Sequence, residues 1–341
     1  MDWSLILEKS ILAVVVFSIT LVIAMYSTYG ERKIAAFFQD RLGPNRAGPW
    51  GIFQPLADGG KLFFKEEIIP DASVRWLFIL GPGIAMFLAL STSAVIPWAP
   101  DYISGDRTVA MQVADPDMGI LYIFGILSLG VYGLMLGGWA SNNKYSLYGA
   151  IRASSQIISY ELAMGLSVIA VIIMTGSLSL RTIVESQHGM NWNIFYQPLG
   201  FILFMTTALA ECNRAPFDMA ECETELIGGY HTEFSSMKLG LYLFSEYINM
   251  FISSAVITVL FFGGYNFPGM DMIKDPMWLT VLGAIVFFAK IFFFIFLFMW
   301  IRWTLPRFRY DQLMRLGWKG LIPLAIVNLL LTAGFMMWKH F

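Results

Sequence analysis

Eight long apolar runs dominate the chain, at about 10–29, 76–97, 119–138, 157–176, 194–210, 237–263, 277–301 and 320–338. A helix of about 20 apolar residues, rising 1.5 Å per residue, crosses the roughly 30 Å hydrocarbon core of a bilayer. Each run therefore predicts a membrane-spanning helix. No alternating strand pattern, internal repeat or low-complexity linker stands out. The expected fold is all-α and polytopic: eight transmembrane helices in a single membrane domain over 1–341, with an amphipathic interfacial helix in the first loop.

Polar positions between the runs set the expected orientation. The odd-numbered connections and their edges carry sixteen Lys and Arg, against three (Arg107, Arg181 and Lys274) in the even-numbered ones. The positive-inside bias makes the odd loops, 30–75, 139–156, 211–236 and 302–319, cytoplasmic and leaves both termini periplasmic. The N-terminus, Met1-Asp2-Trp3, lacks the basic stretch of a cleavable signal, so the first run should be retained. Within loop one, Gly43-Pro44-Asn45 and Gly48-Pro49 read as turns ahead of Gln54–Phe64. There Pro55 suits a first helical turn, and Leu56, Gly60, Phe63 and Phe64 share one stripe. That segment reads as an amphipathic helix at the membrane surface, or as a surface helix docked on a partner. Gly81-Pro82-Gly83, inside an apolar run, reads as a helix kink.

Composition agrees with a lipid environment: 57% of the 341 residues are hydrophobic and only 13% charged. A soluble domain needs about 25% charged residues. A net charge of −2 gives no basic field for nucleic acid, so no nucleic-acid partner is expected. Cys212 and Cys222, with His188, His231 and His340, have neither disulfide nor metal-ligand spacing. No Walker loop or Gly-x-Gly-x-x-Gly is present either. Electron carriers, if any, must come with other chains.

Ionisable groups inside spans cost about 2.5–3.5 kcal/mol each on insertion scales and mark a pathway or a pair. Glu161 and Glu246 fall roughly 6 and 14 Å below the cytoplasmic edge, Lys290 roughly 16 Å, and Glu211 at the end of span five. The carboxylates could form a graded proton series, with Lys290 the expected ion partner of Glu246; structural pairing between helices is the alternative. Loop five is unusually acidic, with Glu211, Asp218, Glu221, Glu223, Glu225 and Glu233 against Arg214. It reads either as a solvated acidic run or, since Pro216, Phe217, Leu226, Ile227 and Tyr230 interleave it, as a folded cavity wall. Arg32, Lys33, Arg41 and Arg46 in loop one, and Arg302, Arg307, Arg309 and Arg315 in loop seven, would complement it.

Four blocks then carry a family resemblance. The segment ERKIAAFFQDRLGPNRAGPWGIFQPLADGGKLFFKE at 31–66 resembles the first cytoplasmic loop of the H-subunit family of bacterial NADH:quinone oxidoreductase, respiratory complex I. GGWASNNKYSLYGAIRASSQIISYEL at 137–162, ALAECNRAPFDMAECETELIGGYHTEFSS at 208–236 and RWTLPRFRYDQLMRLGWKGLIPL at 302–324 agree, in order. The resemblance implies a subunit of the bacterial cytoplasmic (inner) membrane that joins a peripheral redox arm to a proton-pumping membrane arm. It would form the membrane entrance and wall of a quinone chamber, with ubiquinone or menaquinone as substrate and no metal, flavin or iron–sulfur cluster on this chain. Partners would be peripheral iron–sulfur and quinone-site subunits, neighbouring membrane subunits including antiporter-like ones, and lipids. By the same resemblance, Glu161, Glu211 and Glu246 lie on the proton path, with Asp218, Glu221, Glu223 and Glu225 nearer the chamber. Arg32, Arg41, Tyr247 and Arg302 would line the quinone tunnel, and Asp58 and Lys61 would dock the peripheral arm. Cys222 and Phe234 depart from the family pattern, which has a small residue and commonly Tyr there, so a proton-transfer role for position 234 is in doubt. A related subunit of a membrane-bound hydrogenase or ferredoxin-using dehydrogenase is the alternative, ahead of an independent ion transporter, which should show an internal repeat.

Overall fold

A computed structural model describes residues 3–104, 107–220, 226–273 and 275–340. The first helix, α1 (Trp3–Phe38), has 36 residues and so runs about 54 Å. It passes well beyond the expected end at 29, because no breaker interrupts Glu31–Phe38 before Gly43-Pro44. Consequently Glu31, which the pattern assigns to a loop, is a buried helical residue. After a turn at Pro49–Gly51, α2 (Gln54–Phe64) lies across the bundle with Pro55 in its first turn. Its stripe of Leu56, Phe63 and Phe64 faces outward and is exposed, while Pro55, Gly59 and Leu62 face inward.

The next two helices pack very closely. Helix α3 (Arg75–Thr92) stays one helix with Pro82 inside it, and α4 (Gly119–Ala140) crosses it at glycines. A Cβ at Gly81 would lie 3.0 Å from Gly137 Cα, and one at Gly133 would lie 3.0 Å from Ala85 N. Small residues bring membrane helices together because there is no hydrophobic drive between them in lipid. Between α3 and α4, β1 (Tyr102–Ser104) and β2 (Arg107–Val109) pair antiparallel, a short hairpin that the apolar pattern gave no reason to expect.

Helix α5 (Lys144–Thr175) begins well inside the expected loop 139–156; the Asn143 side chain caps it by accepting from Tyr145 N at 2.9 Å, and Gly176, at φ +71°, ends it. The short α6 (Leu180–Glu185) and α7 (Asn193–Tyr196) follow, then α8 (Pro198–Glu211). Pro198 separates the last two, so the fifth apolar run yields a helix of 14 residues, about 21 Å, short of the hydrocarbon thickness. Helix α9 (Ser236–Phe261) runs through the centre and is the most buried of the long helices. The remaining elements are α10 (Pro276–Thr304), α11 (Tyr310–Arg315), a π-helical turn (Leu316–Leu321) and α12 (Ile322–His340). Among the described residues, seven helices are long and apolar enough to cross a membrane, with α8 as a shorter apolar helix beside them.

Two apolar clusters hold the bundle. The larger joins Trp98, Phe251, Phe261, Phe287 and Phe294, with Trp98 stacked on Phe251 at 5.5 Å. The smaller joins Phe78, Tyr230, Phe234 and Tyr242. Phe234 lies 4.1 Å from Phe78, nearly parallel to it, so position 234 is a packing position. One end of the bundle gathers the end of α1, α2, the segment after α8, the start of α9 and the end of α10. The other gathers the start of α1, where Lys9 Nζ donates to Ala110 O and Gln112 O, and an ion cluster in which Arg181 meets Asp101, Asp115 and Glu185.

Candidate functional site

The charges at the first end are paired across four elements. Glu31 on α1 accepts from Arg214 Nη1 at 3.2 Å and from the Tyr247 hydroxyl at 2.9 Å, and forms an ion pair with Arg302 at the end of α10. Arg214 also lies 3.7 Å from Glu246 Oε2, with its guanidinium carbon 4.1 Å from the centroid of the Tyr247 ring. The Tyr230 hydroxyl donates to Glu246 Oε1 at 3.0 Å. Two carboxylates thus meet two guanidiniums, with Glu31, Arg214 and Glu246 all less than one-tenth exposed. Buried ions need such matching because an unpaired one keeps its full desolvation cost.

This network forms one wall of a cavity of about 410 Å³. Arg32, Asp58, Tyr247 and Arg302 line it together with Glu31, Arg214 and Glu246, while Met25, Leu243, Phe244 and Trp303 supply apolar wall. A volume of this size, mostly apolar with a few convergent polar groups, is typical of a small-molecule site. Helix α2 closes one side, held to α1 by an Arg32–Asp58 ion pair at 2.6 Å and to the start of α9 by Ser236 Oγ donating to Leu62 O at 3.0 Å.

Deeper in, a second cavity of about 40 Å³ touches both Glu246 and Glu211. Glu161, close enough to act on Glu211 electrostatically, accepts a hydrogen bond from Ser128 and opens on a lateral groove with Gly165 and Trp318. Glu246 therefore faces the large cavity on one side and the Glu211 cavity on the other.

Several expected residues are elsewhere. Lys290 does not pair with Glu246: its ammonium donates to Phe262 O, Gly264 O and Asn266 O at 2.7, 2.9 and 2.7 Å and sits 4.8 Å from the centroid of the Trp192 ring. The physical reason is that the chain reverses just past the end of α9 and turns these three carbonyls onto one point, where the ammonium satisfies them all. They lie roughly 24 Å along the helix from Glu246 at 1.5 Å per residue. Arg41 is exposed and donates to Gln39 Oε1 at 2.7 Å, away from the cavity lining. Lys61, expected to dock a peripheral arm and not to line the cavity, is exposed. Asp218 pairs with Arg307, so loops five and seven do meet through opposite charges. Glu221, Glu223 and Glu225, with Cys222, lie outside the described residues.

Glu31 and Arg214 are the residues that the pattern underrates. Glu31 is hidden by its neighbours Arg32 and Lys33, which make it look like part of a charged loop. Its signal is the unbroken helical stretch to Phe38. Tyr230 was legible only as one of the residues interleaved with the acidic loop, and Ser128 had no sequence signal, since hydroxyls in helices and loops commonly bond to nearby backbone.

A polytopic helical membrane protein with a buried, charge-balanced cavity at one end is the class that these observations define. A sequence profile described as NADH dehydrogenase matches residues 11–333. The H subunit of NADH-quinone oxidoreductase from Flavobacterium johnsoniae is 60% identical over 343 aligned positions, covering 100% of this chain and 98% of the relative. An H subunit of the same enzyme from Cytophaga hutchinsonii is 63% identical over 328 positions, 96% of each chain. The corresponding protein of Leptospira biflexa is 48% identical, covering 100% of this chain and 98% of its own length. The chain belongs to the NADH dehydrogenase family of membrane subunits.

Proposed function

We propose that this chain is the membrane component of a proton-translocating NADH:quinone oxidoreductase that houses the quinone and couples its reduction to proton movement. The observation that carries the reading is the continuity of its polar groups. The 410 Å³ cavity, the Glu31–Arg214–Glu246 network and the Glu211 cavity follow one another without an apolar break. Its relatives are named for quinone chemistry. Arg32, Asp58, Tyr247 and Arg302 line the large cavity with Glu246, which also lines the small one beside Glu211.

In this reading a quinone enters from the lipid between α1, α2 and α9 along Met25, Leu62 and Phe244. Its headgroup is bounded by Arg32 and Arg302, and its tail trails along the apolar wall. Electrons come from peripheral subunits carrying the iron–sulfur clusters. A unit charge appearing about 4 Å from Arg214 or Arg302 is worth about 4 kcal/mol at an effective dielectric of 20. That is enough to redistribute the Glu31–Arg214–Glu246 pairing and move a proton between Glu246 and Glu211. Glu161 then passes the change towards neighbouring antiporter-like membrane subunits, and Asp218, Glu221, Glu223 and Glu225 serve the chamber side. The basic loops face the bacterial cytoplasm, both termini face the periplasm, and α8 with its preceding turn makes the remaining crossing of the inner membrane.

Glu246→Gln in the assembled complex tests the coupling. The complex should assemble, while NADH-driven proton uptake into vesicles falls at least several-fold. Full proton pumping by that variant would overturn the relay.

A further inference from the structure

The 40 Å³ cavity holds a feature that the relay reading leaves unused. Two buried oxygens, Glu211 Oε2 and Asn249 Oδ1, have no hydrogen-bond partner among the described residues. Both residues line the same cavity, with Ser245, Asn213 and Glu246 at its polar end and Ala85, Leu134 and Ile157 closing it. The neighbours are otherwise committed. The Ser245 hydroxyl donates to Tyr242 O at 2.7 Å, and Asn213 Oδ1 accepts from Gln156 Nε2 at 3.4 Å.

Leaving a polar atom buried without a partner costs about 1–3 kcal/mol, more when it is charged. Two such atoms facing one cavity therefore call for a common partner. Both are acceptors, so that partner must donate twice. If the Asn249 amide is turned over, its NH₂ faces inward and the partner must accept from it while donating to Glu211. Water meets both requirements, and a cavity needs only roughly 15 Å³ to hold one. The volume, the polarity and the two orphaned atoms agree independently.

We infer that Asn249 is a positioning residue that fixes water between Glu211 and Glu246, making a hydrated junction in the carboxylate series. The inference rests on the relay proposed above and deepens it by naming what bridges the two carboxylates. Asn249 lies three residues after Glu246 on α9, nearly one turn on, so both side chains reach the same side of the helix. The amide cannot ionise. It holds the water without competing for the proton, and the carboxylates on either side exchange the proton through it.

The test uses the complete enzyme in its membrane or in detergent, with Asn249→Leu and Asn249→Ser compared with the parent and with Glu246→Gln. Leu keeps the volume and removes the polar group; Ser loses volume but leaves room and a hydroxyl for water. Asn249→Leu should lower proton pumping at least fivefold, and Asn249→Ser should stay within about twofold of the parent. A packing role would give the reverse order, because Ser leaves a void. A density map of the parent complex fine enough for ordered water should place a water within hydrogen-bond distance of Asn249 and Glu211, and that water should be missing in Asn249→Leu. A dry cavity, or pumping by Asn249→Leu that equals or exceeds that of Asn249→Ser, overturns the inference. The two proposals fail separately. A dry cavity with Glu246→Gln impaired removes the junction and keeps the relay, whereas an ordered water with Glu246→Gln pumping fully removes the relay and keeps the water site.

Discussion

Arg214 carries more of the site than any other single side chain. It touches Glu31, Glu246 and the face of Tyr247 at once, and it is 7% exposed. Removing it takes a guanidinium from Glu31, which keeps Arg302, and from Glu246, so Arg214→Gln should destabilise the protein by about 3–5 kcal/mol, the cost of breaking a buried ion pair from one side. Thermal melting of the purified complex, followed by loss of this chain, would register it. Arg214→Lys restores the charge but not the planar fork that spans two carboxylates, and should recover only part of the loss. Unchanged melting in Arg214→Gln would show that the network is not what holds this end of the bundle. At this scale the sequence was legible where a charge interrupts an apolar run, as with Glu246 and Glu161. It was illegible where the charge sits among others, as with Glu31. The partner of Lys290 could not be read from depth, because depth along one helix says nothing about where a neighbouring helix ends.

Elements hold the site through close approaches that a sequence pattern does not display. A Cβ at Gly149 on α5 would lie 2.5 Å from Tyr230 N and 2.7 Å from Gly229 C, both backbone atoms. Ser146, three residues earlier, donates to Tyr230 O at 2.7 Å. This contact sets the position of Tyr230 and hence its hydroxyl on Glu246. Gly149→Ala must push the 229–230 backbone away. It should cost about 1–3 kcal/mol, as overpacking does, and lower coupled turnover without touching a charged group. A melting temperature and turnover equal to the parent's would show that the loop yields freely. At the far end of α9, Lys290 holds the chain reversal at 262–266 through three carbonyls. Lys290→Met keeps the stem and deletes those bonds, so amide hydrogen exchange across 262–266 should accelerate at least tenfold while exchange around Glu246 stays as it was. Equal exchange at 262–266 would show that Gln187 and Asn266 hold the reversal unaided, through Gln187 Oε1 accepting from Gly263 N and Asn266 Nδ2 donating to Val184 O. Apolar runs located the long helices, because length and hydropathy are properties of one segment. They missed the extension of α1, the early start of α5 and the break before Pro198, which depend on caps and breakers beyond the apolar core of each helix.

For the whole molecule, the apolar outer faces of α1 and α12 are largely exposed among the described residues, as contact with lipid or neighbouring helices requires. What the fold itself does not fix is which end faces which compartment. On the proposed reading, the end bearing the cavity, which carries the excess of Lys and Arg, faces the cytoplasm, where a soluble electron-donating arm would reach it. Leu42, 87% exposed in the connection between α1 and α2, and Met190, 65% exposed between α6 and α7, are suitable reporters for the two sides. In a background with Cys212→Ala and Cys222→Ala, a membrane-impermeant maleimide applied to intact cells should label Met190→Cys and leave Leu42→Cys unmodified. Inverted vesicles should give the opposite pattern, with access to Leu42→Cys falling when the peripheral arm is bound and rising when it is stripped away. Labelling of Leu42→Cys in intact cells would place the cavity mouth on the side without NADH. The ion network would then have to answer to something other than electron input from the cytoplasm, and the coupling reading would fail with the orientation.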